Sequence, residues 1–250
     1  MRMNLTVKLN PPPSTILKVS SNLNSKSKFK MTYPTAPWNL KGYAILTLQL
    51  VDIEQASKFI PSELEIIPLL PGKTLGGIYI SSYESGSLLE YNELIVVPGF
   101  VKYQEKIGAW ISHIYVDNLD SVAGGREIWG LPKEMAEFSW NQDSVRVSQN
   151  NLELCNLNYK KGLFNFSTWW KQELSGGSFG GLDCELLYFE NIFKTQAALL
   201  KGNLEIPQQS PFASLKLDKP VFTVNLQKLE LIAGVPQVVG AKSPQLTYNR

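Results

Sequence analysis

The chain holds one histidine and two cysteines in 250 residues, and these shortages remove whole classes of mechanism. With His113 alone, a histidine-based metal site is excluded. A Ser-His-Asp hydrolase would have to use His113 as its base, yet no G-x-S-x-G elbow occurs in the sequence. His113 sits in the alternating stretch "AWISHIYVDN", where a hydrogen-bonded structural role is expected. Cys155 and Cys184 lack the paired spacing of a zinc or redox motif and read as buried free thiols of an intracellular protein. No apolar run reaches the ~20 residues of a membrane span, and no apolar core follows the basic start as in a secretory signal. The sequence therefore reads as soluble, with no membrane partner. The glycine-rich "SGGSFGG" at 175–181 has neither the lysine and Ser/Thr of a P-loop nor a dinucleotide fingerprint, and it reads as a mobile loop.

Charge is unevenly spread. The net charge is +2, with 24 basic and 22 acidic residues. Residues 1–30 carry Arg2 and five lysines without one acid, so the remaining 18 basic residues face all 22 acids and the body is mildly acidic. Its six tryptophans and eleven phenylalanines lack a basic stripe to accompany them, which excludes nucleic acid as a partner. The segment 1–30 is rich in Ser, Asn, Pro and Lys and reads as a disordered basic extension. A plain tail, an organelle transit peptide, or a start placed upstream of Met31 all fit it. Residues 31–250 are expected to form a single domain, with 44% hydrophobic residues for its core.

The body reads mainly as strands. "YAILTLQLVD" at 43–52 alternates, placing Leu46, Leu48 and Leu50 on one face and Thr47 and Gln49 on the other. Asp52 is positioned to cap a short helix through Phe59, ended by Pro61. "GGIYISSY" (76–83), "NELIVVP" (92–98) and "GAWISHIYVD" (108–117) read as further strands. "NLDSVAGGREIWG" (118–130) reads as a helix stopped by Gly130, despite the weakening pair Gly124 and Gly125. Turn signals between 133 and 167 indicate a meander of hairpins, and "CELLYFE" and "PVFTVNLQKLEL" supply later strands. Strand and helix do not alternate regularly, so a doubly wound sheet is a poor fit. An α+β, mainly β chain built as an antiparallel barrel or curved sheet with a few flanking helices fits better.

One basic residue stands out. In "GGREIWGLPKEM" Lys133 lies between Leu131-Pro132 and Met135, where it is either a snorkelling surface group or a desolvated amine. The stretch "YVDNLDSVAGGREIWGLPKEMAEF" (115–138) resembles the acetoacetate decarboxylase family: Asp117-Asn118, Gly125-Arg126-Glu127 and Pro132-Lys133 match its central motif without a gap. "LEYNELIVVP" is similar to the segment that carries the family's catalytic glutamate. The resemblance spans about residues 34–230 and is strongest at 108–138. It implies a seven-stranded antiparallel β-cone with flanking helices, assembled as a homo-oligomer without metal or organic cofactor and acting on a small oxo-acid or ketone; a cytoplasmic location is expected beside it. Lys133 would be the Schiff-base nucleophile and Glu93 the general acid/base, with Lys41 and Tyr91 contacting substrate. Arg126 and Glu127 would be a buried pair supporting the helix. The mechanism requires a neutral amine, and Leu131, Pro132 and Met135 are the expected source of desolvation. Three departures from the family stand out: Glu134 replaces a second lysine, Lys41 falls where the family has an arginine, and a further glutamate is missing near Gly77-Ile78. The implied reaction is decarboxylation of a β-keto acid. Aldol or dehydration chemistry on a 2-oxo acid, or a catalytically silent ligand-binding barrel, are the alternatives.

Overall fold

The alternation at 43–52 belongs to a longer strand, β1 (Trp38–Asp52), which lies mid-sheet between the strands Phe222–Ala233 and Lys73–Tyr83. The computed structural model describes residues 33–161 and 170–243, all within one compact unit, Thr32–Arg250. The basic extension at 1–30 lies outside the described residues. After β1 come a single helical turn α1 (Ile53–Ala56), β2 (Glu65–Ile66), β3 (Lys73–Tyr83), β4 (Tyr91–Val97), β5 (Gly99–Tyr103), β6 (Lys106–Trp110) and β7 (His113–Val116). Helix α2 (Leu119–Trp129) leads into β8 (Lys133–Met135), and β9 (Glu137–Asn141), β10 (Ser144–Gln149) and β11 (Leu152–Lys161) form the expected meander. Then follow β12 (Trp170–Gly180), β13 (Glu185–Glu205), a 3-10 turn (Ala213–Leu215), β14 (Phe222–Ala233) and β15 (Gln237–Ala241).

Among the described residues fifteen strands join one sheet, against the seven of the expected cone, and its main path runs β2-β5-β6-β12-β13-β14-β1-β3-β4-β7-β8. Pairing is antiparallel apart from β6–β12 and β7–β8. The architecture is thus α+β and mainly β, as expected, but the path does not close, and "barrel" or "cone" describes it only loosely. Two apolar layers lie on the two sides of the central strands. One contains Ile45, Ile78, Ile80, Leu94, Val96 and Trp110. The other contains Trp38, Leu40, Tyr83, Tyr91, Ile114, Val116 and Trp129, and it receives Val122, Ala123 and Ile128 of α2. Each large side chain so buried contributes about 1.5–3 kcal/mol relative to exposure.

Several local expectations are corrected. "SGGSFGG" is not a loop for most of its length: Ser175–Gly180 continue β12, pairing with β13 along the run and with Ala109 and Trp110 of β6 at Ser178 and Phe179. Gly177 serves close backbone approach, since a Cβ there would lie 2.4 Å from the Ile107 carbonyl oxygen and 2.5 Å from the Tyr188 ring. Asp52 makes no side-chain cap to α1 and pairs with Lys73 at 2.7 Å instead. The strand expected over 108–117 breaks at Ile111-Ser112, so β6 and β7 join different parts of the sheet. Cys155 is buried as expected, whereas Cys184 is exposed. His113 does have a structural partner, Ser112 Oγ at 2.9 Å from Nδ1.

Candidate active site around Lys133

Helix α2 and the turn behind it fix the backbone of Lys133. Asn118 caps the helix by accepting from the Ser121 amide at 3.1 Å, and Gly130 ends it in the left-handed region at φ 60°. The amides of Gly130 and Leu131 then return to the Arg126 and Gly125 carbonyls at 3.1 and 3.0 Å. Arg126 Nε donates to the Lys133 carbonyl at 2.8 Å. The chain reverses at Pro132 and enters β8, which pairs with β7 so that Lys133 lies beside Ile114. On the other side of β7, Glu93 of β4 lies beside Val116. Ile114 and Val116 are two apart and share a face, so Lys133 and Glu93 flank β7 on one side of the sheet, and their long side chains close over it.

The ends meet. Lys133 Nζ is 2.8 Å from Glu93 Oε1, and the side chains are 4% and 5% exposed. Nζ also donates to Ser121 Oγ at 3.0 Å and lies 4.9 Å from the Tyr91 ring centroid and 5.7 Å from that of Trp38, within cation–π range. The second Glu93 oxygen accepts from the Tyr83 hydroxyl at 3.1 Å, which is 3.2 Å from the Tyr79 hydroxyl. Burial first, and the Glu93 charge second, push the Tyr83 and Tyr91 hydroxyls well above the ordinary phenol value, so both stay protonated at neutral pH. A buried charge pair survives when its remaining donors and acceptors are also met, and the hydroxyls of Ser121 and Tyr83 do this.

The lysine stem runs directly beneath α2. A Cβ on Gly125 would lie 2.4 Å from Lys133 Cδ, and one on Gly124 would lie 2.5 Å from the Trp38 ring. The glycine pair that weakens the helix is therefore what lets it approach both groups.

The expected site residues separate into two sets. Lys133, Glu93 and Tyr91 converge. Lys41 does not: it is exposed, makes a 3.8 Å ion pair with Glu230, and lines a cleft of about 330 Å³ whose lining includes neither Lys133 nor Glu93. On β1 it alternates with Leu40, which belongs to the layer shared with Trp38, so it leaves the opposite face. Arg126 and Glu127 are exposed rather than buried. In place of a mutual pair, Arg126 holds the Lys133 carbonyl while the Tyr33 hydroxyl donates to Glu127, so both support the site from the helix surface. Met135 is 39% exposed and does not shield the amine, whereas Leu131 is buried in the layer that holds Trp38 and Tyr91, whose rings lie over Nζ. Glu134 is exposed and accepts from Gln149 at 2.9 Å, diverging from the amine as alternation along β8 requires.

Ser121, Tyr83 and Trp38 escape the motif. A signal exists for the first: Ser121 and Gly125 are four apart on α2 and share the face turned to the lysine. Tyr79, Ser81 and Tyr83 likewise share one face of β3, with Tyr83 opposite Tyr91 and Ser81 opposite Glu93 of β4.

Comparison with known proteins bears on the family and the fold. A family model described as acetoacetate decarboxylase (ADC) matches residues 23–165. Protein NEOXANTHIN-DEFICIENT 1 of Solanum lycopersicum is 36% identical over 107 residues, covering 43% of this chain. That match spans only 36% of the relative's own length. Acetoacetate decarboxylase from Legionella pneumophila shares the fold, with a TM-score of 0.65 at 18% identity over 84% of this chain and 90% of that one. The enduracididine biosynthesis enzyme MppR complexed with pyruvate also shares it, with a TM-score of 0.58 at 12% identity over 88% and 97% of the two chains.

Proposed function

The chain belongs to the acetoacetate decarboxylase family, and on that premise we propose that it is a Schiff-base enzyme in which Lys133 condenses with the carbonyl of an oxo compound. The observation that carries this reading is the buried contact of 2.8 Å between Lys133 Nζ and Glu93 Oε1. An amine must shed a proton before it attacks, and Glu93 is placed to accept it. Nζ then bonds to the carbonyl carbon while the carbonyl oxygen takes a proton. Loss of water from this carbinolamine, with the proton returned by Glu93, leaves an iminium on Lys133. In a β-keto acid the electron pair of the C–C bond to the carboxylate flows toward the iminium nitrogen, carbon dioxide departs, and an enamine remains. Protonation of the enamine carbon and hydrolysis release the ketone and restore the amine. The tyrosine hydroxyls of the network stay protonated throughout and orient Glu93. The chemistry needs no metal or organic cofactor.

A second reading uses the same lysine for aldol or dehydration chemistry on a 2-oxo acid. The position of Lys41 favours it: decarboxylation requires the substrate carboxylate to be held in place, and Lys41 leaves the sheet on the other face. Carbon dioxide release from a panel of β-keto acids, measured against Lys133→Gln, separates the two. Release above the spontaneous rate that is lost in the variant supports decarboxylation. Imine formation on Lys133 without such release supports the second reading, and ligand binding indifferent to Lys133→Gln supports a silent binding protein.

A further inference from the structure

Strand β12 is paired along one edge and open along most of the other. From Trp170, opposite Ala197, to Gly180, opposite Leu187, it runs beside β13 without a register shift. On its outer edge, among the described residues, β6 meets it only at Ser178 and Phe179. The backbone groups that residues 170–175 direct outward therefore have no described strand beside them, and such a row is a template for another strand. Glu173, Leu174, Ser175 and Gly176 are exposed in succession, so neither face of the strand is covered there. Leu174 is 56% exposed, and a Cβ on Gly176 would meet nothing within 4 Å.

Open edges are usually blunted by a proline, a bulge or a lysine that repels its own copy. Trp170–Gly180 contains no proline and no bulge. It does contain Lys171, but Glu173 follows two positions later, and that spacing is self-complementary. When the strand pairs antiparallel with a second copy about a two-fold axis at Gln172, Lys171 stands opposite Glu173 twice by symmetry. Trp170 stands opposite Leu174 twice, and Gln172 opposite itself. An axis at Lys171 would set two lysines opposite each other, and an axis at Glu173 two carboxylates, so charge selects the register. Glu173 has room for the second cation: it holds Lys194 of β13 at 3.6 Å while its side chain stays 66% exposed.

We propose that the outer edge of β12 is an isologous interface with a second copy of this chain, in which Trp170–Leu174 of the two copies pair antiparallel about Gln172 and the two sheets run on as one. The reciprocal match of Lys171 with Glu173 points to a second copy ahead of a foreign strand, which has no reason to carry the same pattern reversed. Five residue pairs make a small contact, which suits an equilibrium dimer.

The test is sedimentation velocity of the full chain over a concentration series. Lys171→Glu and Glu173→Lys each turn two attractive pairs into two repulsive ones and should weaken the dimer about 30-fold. The double variant Lys171→Glu/Glu173→Lys should dimerise like the wild type, and so should an equimolar mixture of the two single variants. The pair with Lys194 is exposed and contributes little, so folding should be unchanged by circular dichroism. A second readout fixes the register. In a Cys184→Ser background, Gln172→Cys puts one thiol of each copy on the axis, at a separation a disulfide spans, and mild oxidation should double the mass. Ser175→Cys, about 20 Å from its own copy in this register, should not cross-link. A chain that stays monomeric at every concentration overturns the inference. So does a dimer indifferent to both reversals, and so does loss of the dimer in the single variants that neither the mixture nor the double variant restores.

Discussion

Gly125→Ala should be destabilising, although alanine is the better helix former. In an exposed helix interior the change stabilises by about 1 kcal/mol. Here the new Cβ would lie 2.4 Å from Cδ and 2.6 Å from Cε of Lys133. The stem escapes only by swinging away, which breaks the contacts at 2.8 and 3.0 Å to Glu93 and Ser121. Separating a buried ion pair costs about 3–5 kcal/mol, so the net effect is a loss of about 2–4 kcal/mol. In a Lys133→Ala/Glu93→Gln background neither the stem nor the charge remains, and the same substitution should stabilise by about 1 kcal/mol. Urea unfolding of the four proteins, followed by circular dichroism, gives the cycle. A Gly125→Ala effect of the same sign and size in both backgrounds would refute the claim that the glycine exists to seat the lysine. Gly124→Ala is the control: its Cβ meets the Trp38 ring at 2.5 Å, a side chain 1% exposed that stacks edge-on with Trp129 at 4.9 Å and donates to the Pro34 carbonyl. Its cost should be unchanged between backgrounds.

Three further outcomes are expected. Burial lowers His113 from 6.5 to about 4, with Ser112 and the rings of Phe59 and Phe212 around it. The unfolded chain therefore binds the proton first as pH falls from about 6.5 to 4. Stability is lost across that window by about 3 kcal/mol from this group, and the difference curve between the wild type and His113→Asn should show that loss; parallel curves contradict it. Of the two thiols, exposed Cys184 should react with Ellman's reagent in the folded protein, whereas Cys155, buried and pushed up to about 12, should react only after denaturation; two fast thiols contradict the core packing. Glu134→Lys should leave the pH profile of imine trapping unmoved, because the carboxylate it removes faces Gln149; a shifted profile would show that position 134 acts on the amine.

How far the sequence carried the account depends on where the determining interactions lie. The turn from Asn118 to Lys133 was legible because its signals are local: a cap at Asn118, a left-handed stop at Gly130, and a proline before the lysine. Pairing of Lys133 with Glu93 follows once both motifs are placed, although their contact spans forty residues. What escaped is set by tertiary packing. The glycines at 176, 177 and 180 look like loop residues in isolation, but they belong to a strand paired with β13, where Gly177 and Gly180 closely approach the backbone of Ile107 and Trp129. Asp52 had the chemistry of a cap and took Lys73 instead. The alternation in β1 was correctly seen, but alternation alone does not tell which side is more deeply buried, and over 46–50 it is the side holding threonine and glutamine. Lys41 could be aligned with a substrate-binding position, yet one residue of strand phase sends it to the other face.

The central claim is that Lys133 is the nucleophile. The most direct measurement is peptide mass mapping after incubation with acetoacetate or pyruvate and reduction with borohydride. One added ligand mass is expected, on the peptide containing Lys133 and absent in Lys133→Gln. Labelling scattered over surface lysines, with Lys133 unmodified for every oxo compound tried, would contradict it.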